Sequence, residues 1–109
     1  MAKRKKGNKP STAEQEFEQV DIFYLPKAVA SMYRVLRQAV KEEIMDWAQA
    51  KFSSVTTVSD PDEGDAVIAL NADQEEVFRY YLNPNNISQA QQARDKDRLD
   101  DYLSQLFED

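Results

Sequence analysis

The sequence predicts an α+β domain that is mostly helical, with four helices and a short β-hairpin between the second and third, in the order ααββαα. Three observations carry this. Apolar residues recur in steps of three and four from Val29 to Trp47, the period of a helix with one buried stripe. The β-branched run Val55-Thr56-Thr57-Val58 is separated by Asp60-Pro61-Asp62-Glu63-Gly64 from the apolar run 66–70, which reads as two strands about a turn. Helix-start residues stand at Ser11, Asn71 and Ser88, each ahead of a stretch with apolar residues at helical spacing.

Residues 1–10, MAKRKKGNKP, hold little that could be buried, and are expected to be a disordered basic arm. Residues 11–109 are expected to form one domain. Ser11 precedes Glu14 by three residues, a capping box, and Ala13, Phe17, Val20 and Tyr24 follow at helical spacing, so the first helix is predicted to end at Leu25. Pro26 suits the first turn of the second helix. That helix is predicted to run to Phe52 with the stripe Val29, Met32, Tyr33, Leu36, Val40, Ile44 and Trp47.

In the hairpin, pairing Ser59 with Asp65 puts Thr56, Val58, Ala66, Ile68 and Leu70 on one face. Val55, Thr57, Val67 and Ala69 take the other. Neither face is strongly polar, so helices are expected over one and something else over the other. Asn71 is predicted to cap a third helix, with Asp73, Glu75 and Glu76 near its positive end and Val77, Phe78, Tyr81 and Leu82 buried. Asn83-Pro84-Asn85-Asn86 is read as its stop. Ser88 is predicted to cap a fourth helix, whose second half carries the stripe Leu99, Tyr102, Leu103, Leu106 and Phe107. The expected core joins Val29, Leu36, Val40, Ile44 and Trp47 to Phe78, Leu82, Leu103 and Phe107.

Composition narrows the chemistry. The 109 residues include no cysteine, no histidine and two glycines. Disulfide frameworks, thiol nucleophiles, Cys/His zinc sites, His-based triads and glycine-rich phosphate cradles are thereby excluded. The longest apolar run, 66–70, is five residues, against about 20 needed to span a bilayer. No apolar segment follows the basic arm, so it is not read as a secretory signal. The absence of cysteine fits a reducing cytoplasm.

The net charge of −6 conceals an asymmetry: the first ten residues carry +5 and the remainder −11. Lys3, Arg4, Lys5, Lys6 and Lys9 are the candidate nucleic-acid contacts, because flexible bases neutralise phosphates and release counterions. A nuclear-import signal or a solubilising tail would use the same residues. Arg34, Arg37 and Lys41 could extend the patch, although pairing with local carboxylates is the simpler reading. The acidic turn fails as an EF-hand, since Gly64, Asp65 and Asn71 occupy its fifth, sixth and twelfth positions, where an oxygen ligand, glycine and glutamate are needed. Asp97, Asp100 and Asp101 could mimic phosphates, although a solvated face explains them. Glu42 and Asp46 are a carboxylate pair one helical turn apart, but general acid–base work also needs a pocket and perturbed pKa values, and acidic pairs on exposed helix faces are common, so no enzyme is expected.

The expected function is therefore a non-enzymatic structural or adaptor subunit of a larger nucleoprotein assembly. Its helical body would dock on protein and its arm would hold nucleic acid. A phage-like virion, a ribosome-associated complex or a transcription complex would each fit, in the cytoplasm or within the particle. The partner is expected to be another protein or a second copy, bound through strand 65–70 or helix 88–108 by Ile68, Leu70, Leu99, Tyr102 and Leu106. No cofactor, metal, small-molecule substrate or membrane is expected. The alternative is a small acidic regulator that occupies the basic site of a nucleic-acid-processing enzyme.

Overall fold

A computed structural model describes residues 16–108. The basic arm and the Ser11 capping box lie outside these. Strands β1 (Phe17–Val20) and β2 (Phe23–Pro26) form an antiparallel pair, followed by helix α1 (Lys27–Lys51). Strands β3 (Ser54–Asp60), β4 (Gly64–Leu70) and β5 (Glu76–Tyr81) make an antiparallel sheet in that order, and helices α2 (Pro84–Asp95) and α3 (Leu99–Glu108) complete the chain. The order is ββαβββαα. Three helices and two sheets replace the expected four helices in the order ααββαα.

The first predicted helix is overturned by a hairpin pairing Phe17 with Pro26 and Val20 with Phe23. Its residues suit a strand better than their helical spacing suggests. Val20, Ile22, Phe23 and Tyr24 are β-branched or aromatic, and Asp21 takes a left-handed φ of 59°, which short side chains tolerate in a tight hairpin turn. Tyr24 is left 70% exposed. The hairpin is latched to the β3–β4 turn. Asp21 Oδ2 accepts from the Asp65 amide at 2.6 Å, and Arg37 of α1 donates to Asp65 Oδ2 at 2.8 Å while lying 3.6 Å from Asp21. Gly64 sits at this latch with φ 90°, where a Cβ would fall 2.6 Å from Asp21 Oδ2; both the conformation and the close approach need glycine.

Helix α1 forms over the predicted span, but its buried stripe is rotated. Ala30, Tyr33, Val40, Ile44 and Ala48 are buried, Leu36 and Trp47 are half-buried, and Val29 and Met32 are exposed. Small Ala30 and Ala48 allow close approach to the core. Tyr33 fixes the rotation by donating its hydroxyl to Leu82 O at 2.9 Å, which satisfies a phenol taken out of water.

The β3–β4 register pairs Ser59 with Asp65, as the sequence predicts, and divides the faces accordingly. The third predicted helix is overturned. Asn71 does cap, but its Oδ1 accepts from the Asp73 and Glu75 amides at 2.9 and 3.0 Å in a tight turn where Gln74 has φ 67°. This is the Asx chemistry that competes with helix initiation. In β5, Phe78, Tyr80 and then Leu82 are buried while Val77 and Arg79 are exposed, a period of two. Strand β4 is therefore central and paired on both sides. The expected open edge at 65–70 is corrected: the sheet edges are β3 and β5.

Asn83-Pro84 starts a helix instead of stopping one. The Asn83 side chain accepts from the Asn86 amide at 2.7 Å with Pro84 in the first turn, and Ser88 lies inside α2. Asp97 at φ 57° then divides the predicted fourth helix in two. The core gathers Val40 and Ile44 of α1, Leu82, Ile87 of α2 and Leu103 of α3, all fully buried, against Val67, Ala69, Phe78 and Tyr80 on one sheet face. The opposite face carries Thr56, Val58, Ala66, Ile68, Arg79 and Tyr81 side by side.

Candidate functional site

Edge strand β5 and helix α3 enclose a groove of about 370 Å³, walled by Val77, Arg79 and Tyr81 on one side and Tyr102, Leu106 and Phe107 on the other. Pairing with β4 continues to the bond from Leu82 N to Asp65 O, 2.8 Å. The antiparallel alternation then turns the backbone groups of Arg79 and Tyr81 to the free edge. Asn86 Nδ2 occupies the Tyr81 carbonyl at 2.9 Å, which leaves the Arg79 stretch as open strand edge beside an apolar wall.

The floor is rigid. The Tyr80 hydroxyl donates to Asn86 O at 2.6 Å, so in the 2.8 Å contact between the two phenols Tyr102 is the donor. Burial, followed by the Tyr102 hydrogen bond, raises the Tyr80 pKa far above its ordinary value. The shift favours the neutral phenol, which donates to Asn86 O. Its contribution to stability is complete below pH about 10 and falls above it, where the unfolded phenol ionises. Behind the wall, Phe78 meets Trp47 at 5.1 Å and Phe107 at 6.5 Å between ring centroids, and Phe52 meets Phe107 at 5.1 Å. This aromatic packing holds Phe107 and Leu106 in place although they are 44% and 45% exposed.

Arg79 donates to both Glu76 carboxylate oxygens at 2.8 and 2.6 Å and to the Tyr81 hydroxyl at 3.1 Å, and stands 5.5 Å over the Tyr81 ring. The Glu76 hydrogen bonds, then the one to Tyr81, raise the Arg79 pKa, and the same pairing lowers that of Glu76. Both charges are already spoken for. The groove thus offers shape, an apolar wall and a strand edge, and suits recognition of another chain.

Of the predicted contact residues, Tyr102 and Leu106 come together in this groove. Ile68 is 8% exposed and, with half-buried Leu70, lies on the opposite sheet face. Leu99 is half-buried at the start of α3, near Trp47 and Asp100. Lys3, Arg4, Lys5, Lys6 and Lys9 lie outside the described residues. Val77, Arg79, Tyr81 and Phe107 were not anticipated as a set; the alternation in Glu76-Val77-Phe78-Arg79-Tyr80-Tyr81 is the signal that would have found the first three.

Arg34 pairs at the surface with Glu18, and Arg37 pairs with Asp21 and Asp65, partners distant in sequence in place of the local carboxylates expected. Glu42 accepts from Gln38 Nε2 at 2.7 Å, and Asp100 accepts from Trp47 Nε1 at 2.7 Å. Among the described residues no group of three or more acidic side chains is arranged to hold a metal ion, and no helix is long and apolar enough to cross a membrane. Comparison with family models, curated proteins and solved structures finds no match to this chain.

Proposed function

We propose that the protein is a non-enzymatic structural or adaptor subunit of a larger nucleoprotein assembly, whose body docks on protein while its N-terminal arm engages nucleic acid. The observation that supports the division of labour is the fate of the body's arginines. Arg34, Arg37, Arg79, Arg94 and Arg98 each pair with a carboxylate of the same chain. A body of net −11 with its arginines so engaged repels polyanions, whereas the arm concentrates +5 in ten residues. The groove between β5 and α3 supports docking, since exposed Leu106, Phe107 and Val77 adjoin one another there and contiguous apolar surface of this kind marks interaction sites. Such a protein works in the cytoplasm or inside the particle it helps to build.

Titration of fluorescent generic duplex DNA and RNA with the full chain tests this. Five phosphate contacts give a slope of log affinity against log salt of about −3 to −5. Removing residues 1–9 is expected to abolish binding and leave the thermal midpoint unchanged. Equal binding by the truncated chain would transfer the activity to the body and overturn the proposal.

A further inference from the structure

The β3 edge of the three-stranded sheet belongs to no site described so far, and the register fixes which of its backbone groups are free. Leu82 N bonds to Asp65 O, and the pairing continues with Ala66 opposite Tyr81 and Val67 opposite Tyr80. Asp65, Val67 and Ala69 therefore turn their backbone groups to β5, while Ala66, Ile68 and Leu70 turn theirs to β3. The partners of the latter, Val58, Thr56 and Ser54, are satisfied on that side. Val55, Thr57 and Ser59 are left with their N–H and C=O groups pointing outward, and no hydrogen bond reaches these groups among the described residues.

This edge lacks the usual protections. Its register with β4 runs from Ser54 to Asp60 without a bulge, whereas the β4–β5 register has one. From Phe52 to Ser59 the sequence holds no charge and no proline, and Thr56, Thr57 and Ser59 are exposed. Charges, prolines and bulges are what monomeric sheets use to keep such edges apart. The β5 edge differs, since it carries the Glu76–Arg79 pair and its Tyr81 carbonyl is occupied by Asn86.

A row of alternating donors and acceptors fits another strand, and β3 fits itself. A two-fold axis between antiparallel strands sets one residue against its own copy. Centred on Thr57, it sets Thr57 against Thr57 and Val55 against Ser59 at both ends, so every free group gains a partner. Any other centre sets at least one of the three against Ser53 or beyond, where Ser53 N already bonds Leu70 O, or against Pro61, which has no N–H. The side chains agree with this register: Thr56 falls opposite Val58 and Thr57 opposite Thr57, β-branched pairs that suit neighbouring strands. The acidic turns are also kept apart, because each Asp60 faces Ser54 of the other copy, about 20 Å along the strands from the second Asp60.

We infer that two copies of this chain join their β3 edges antiparallel about a two-fold axis at Thr57, making one continuous six-stranded sheet. A sheet of that width lies within the usual range, and a charge-free strand is where two acidic bodies approach at least electrostatic cost. The N-terminal arm is a poor occupant of the same edge, because Gly7, Pro10 and the four consecutive bases Lys3 to Lys6 are weak strand formers. A strand pair of this length lies at the low end of interface size, with Kd on the order of 1–100 μM. The contact is on the sheet edge opposite the β5 groove and apart from the arm, so each can fail alone.

Sedimentation equilibrium of the full chain over a concentration series spanning that range tests the inference. A monomer–dimer equilibrium is expected. Thr57→Lys and Thr57→Glu each weaken it by about tenfold or more, because each sets like charges against one another on the axis. Both variants are expected to fold as the wild type does, Thr57 being on the surface. The lysine variant also brings the net charge nearer zero, so general repulsion between the bodies would predict tighter pairing instead. An equimolar mixture of the two variants recovers the dimer, since position 57 faces itself. A strictly monomeric wild type would overturn the inference, as would a dimer indifferent to both substitutions. Oligomers that keep growing with concentration, as joining β3 to β5 would give, would overturn the two-fold pairing, and a mixture that stays monomeric would overturn the register centred on Thr57.

Discussion

Leu103→Ala is expected to lower the unfolding free energy by about 3–5 kcal/mol, at the upper end for deleting a fully buried leucine. Leu103 is 0% exposed and is the one residue of α3 buried in the core. The cavity would therefore open between α3 and the body, with little else on that helix to close it. Tyr102 and Phe107 depend on the same docking, through the Tyr80 hydroxyl and the Phe52 and Phe78 rings. Urea unfolding measures the loss. A cost below about 1 kcal/mol would mean that α3 is not held by the core, and the groove it forms with β5 would lose its rigid wall.

Arg37→Ala is expected to cost about 2–4 kcal/mol, because it leaves two carboxylates facing each other without their cation. The Asp21 side chain is 9% exposed and that of Arg37 15%, whereas Asp65 is more open at 35%. The effect should be local first. Hydrogen exchange of residues 17–26 should rise strongly, since Arg37 and Asp21 latch this hairpin to the turn at Gly64. Arg37→Lys keeps the charge, and because the single nitrogen Nη2 makes both contacts, it is expected to recover part of the loss. Unchanged exchange in the first hairpin would show that it is held by other contacts.

What the sequence reveals depends on how many periods a segment satisfies. Helix α1 is 25 residues long, and over that length no pattern but 3.6 fits. The β3–β4 register follows from a turn with a defined centre at Asp62. Segments 17–26 and 76–82 are too short to discriminate. Phe17, Val20 and Tyr24 sit at steps of three and four, yet the same residues form a hairpin once Asp21 takes its left-handed turn. Val77, Phe78, Tyr81 and Leu82 suggest a helix face, while the buried set is Phe78, Tyr80 and Leu82. Asn71 and Asn83 illustrate a second ambiguity: the same side chain closes a turn at one position and opens a helix at the other. The groove was half legible for this reason. Its α3 wall lies on a clear apolar stripe, but its β5 wall required the strand, and with it the sheet edge, to be recognised.

Affinity capture of the full chain from the cells that make it, with and without nuclease, tests the proposed role most directly. The account predicts that wild type retains a defined protein partner together with nucleic acid, and that nuclease removes only the latter. The variant Leu106→Asp/Phe107→Ser, altered at exposed positions of the groove, should lose the protein and keep the nucleic acid, whereas removal of residues 1–9 should do the reverse. Recovery of the wild-type chain alone, with neither protein nor nucleic acid, would contradict the account.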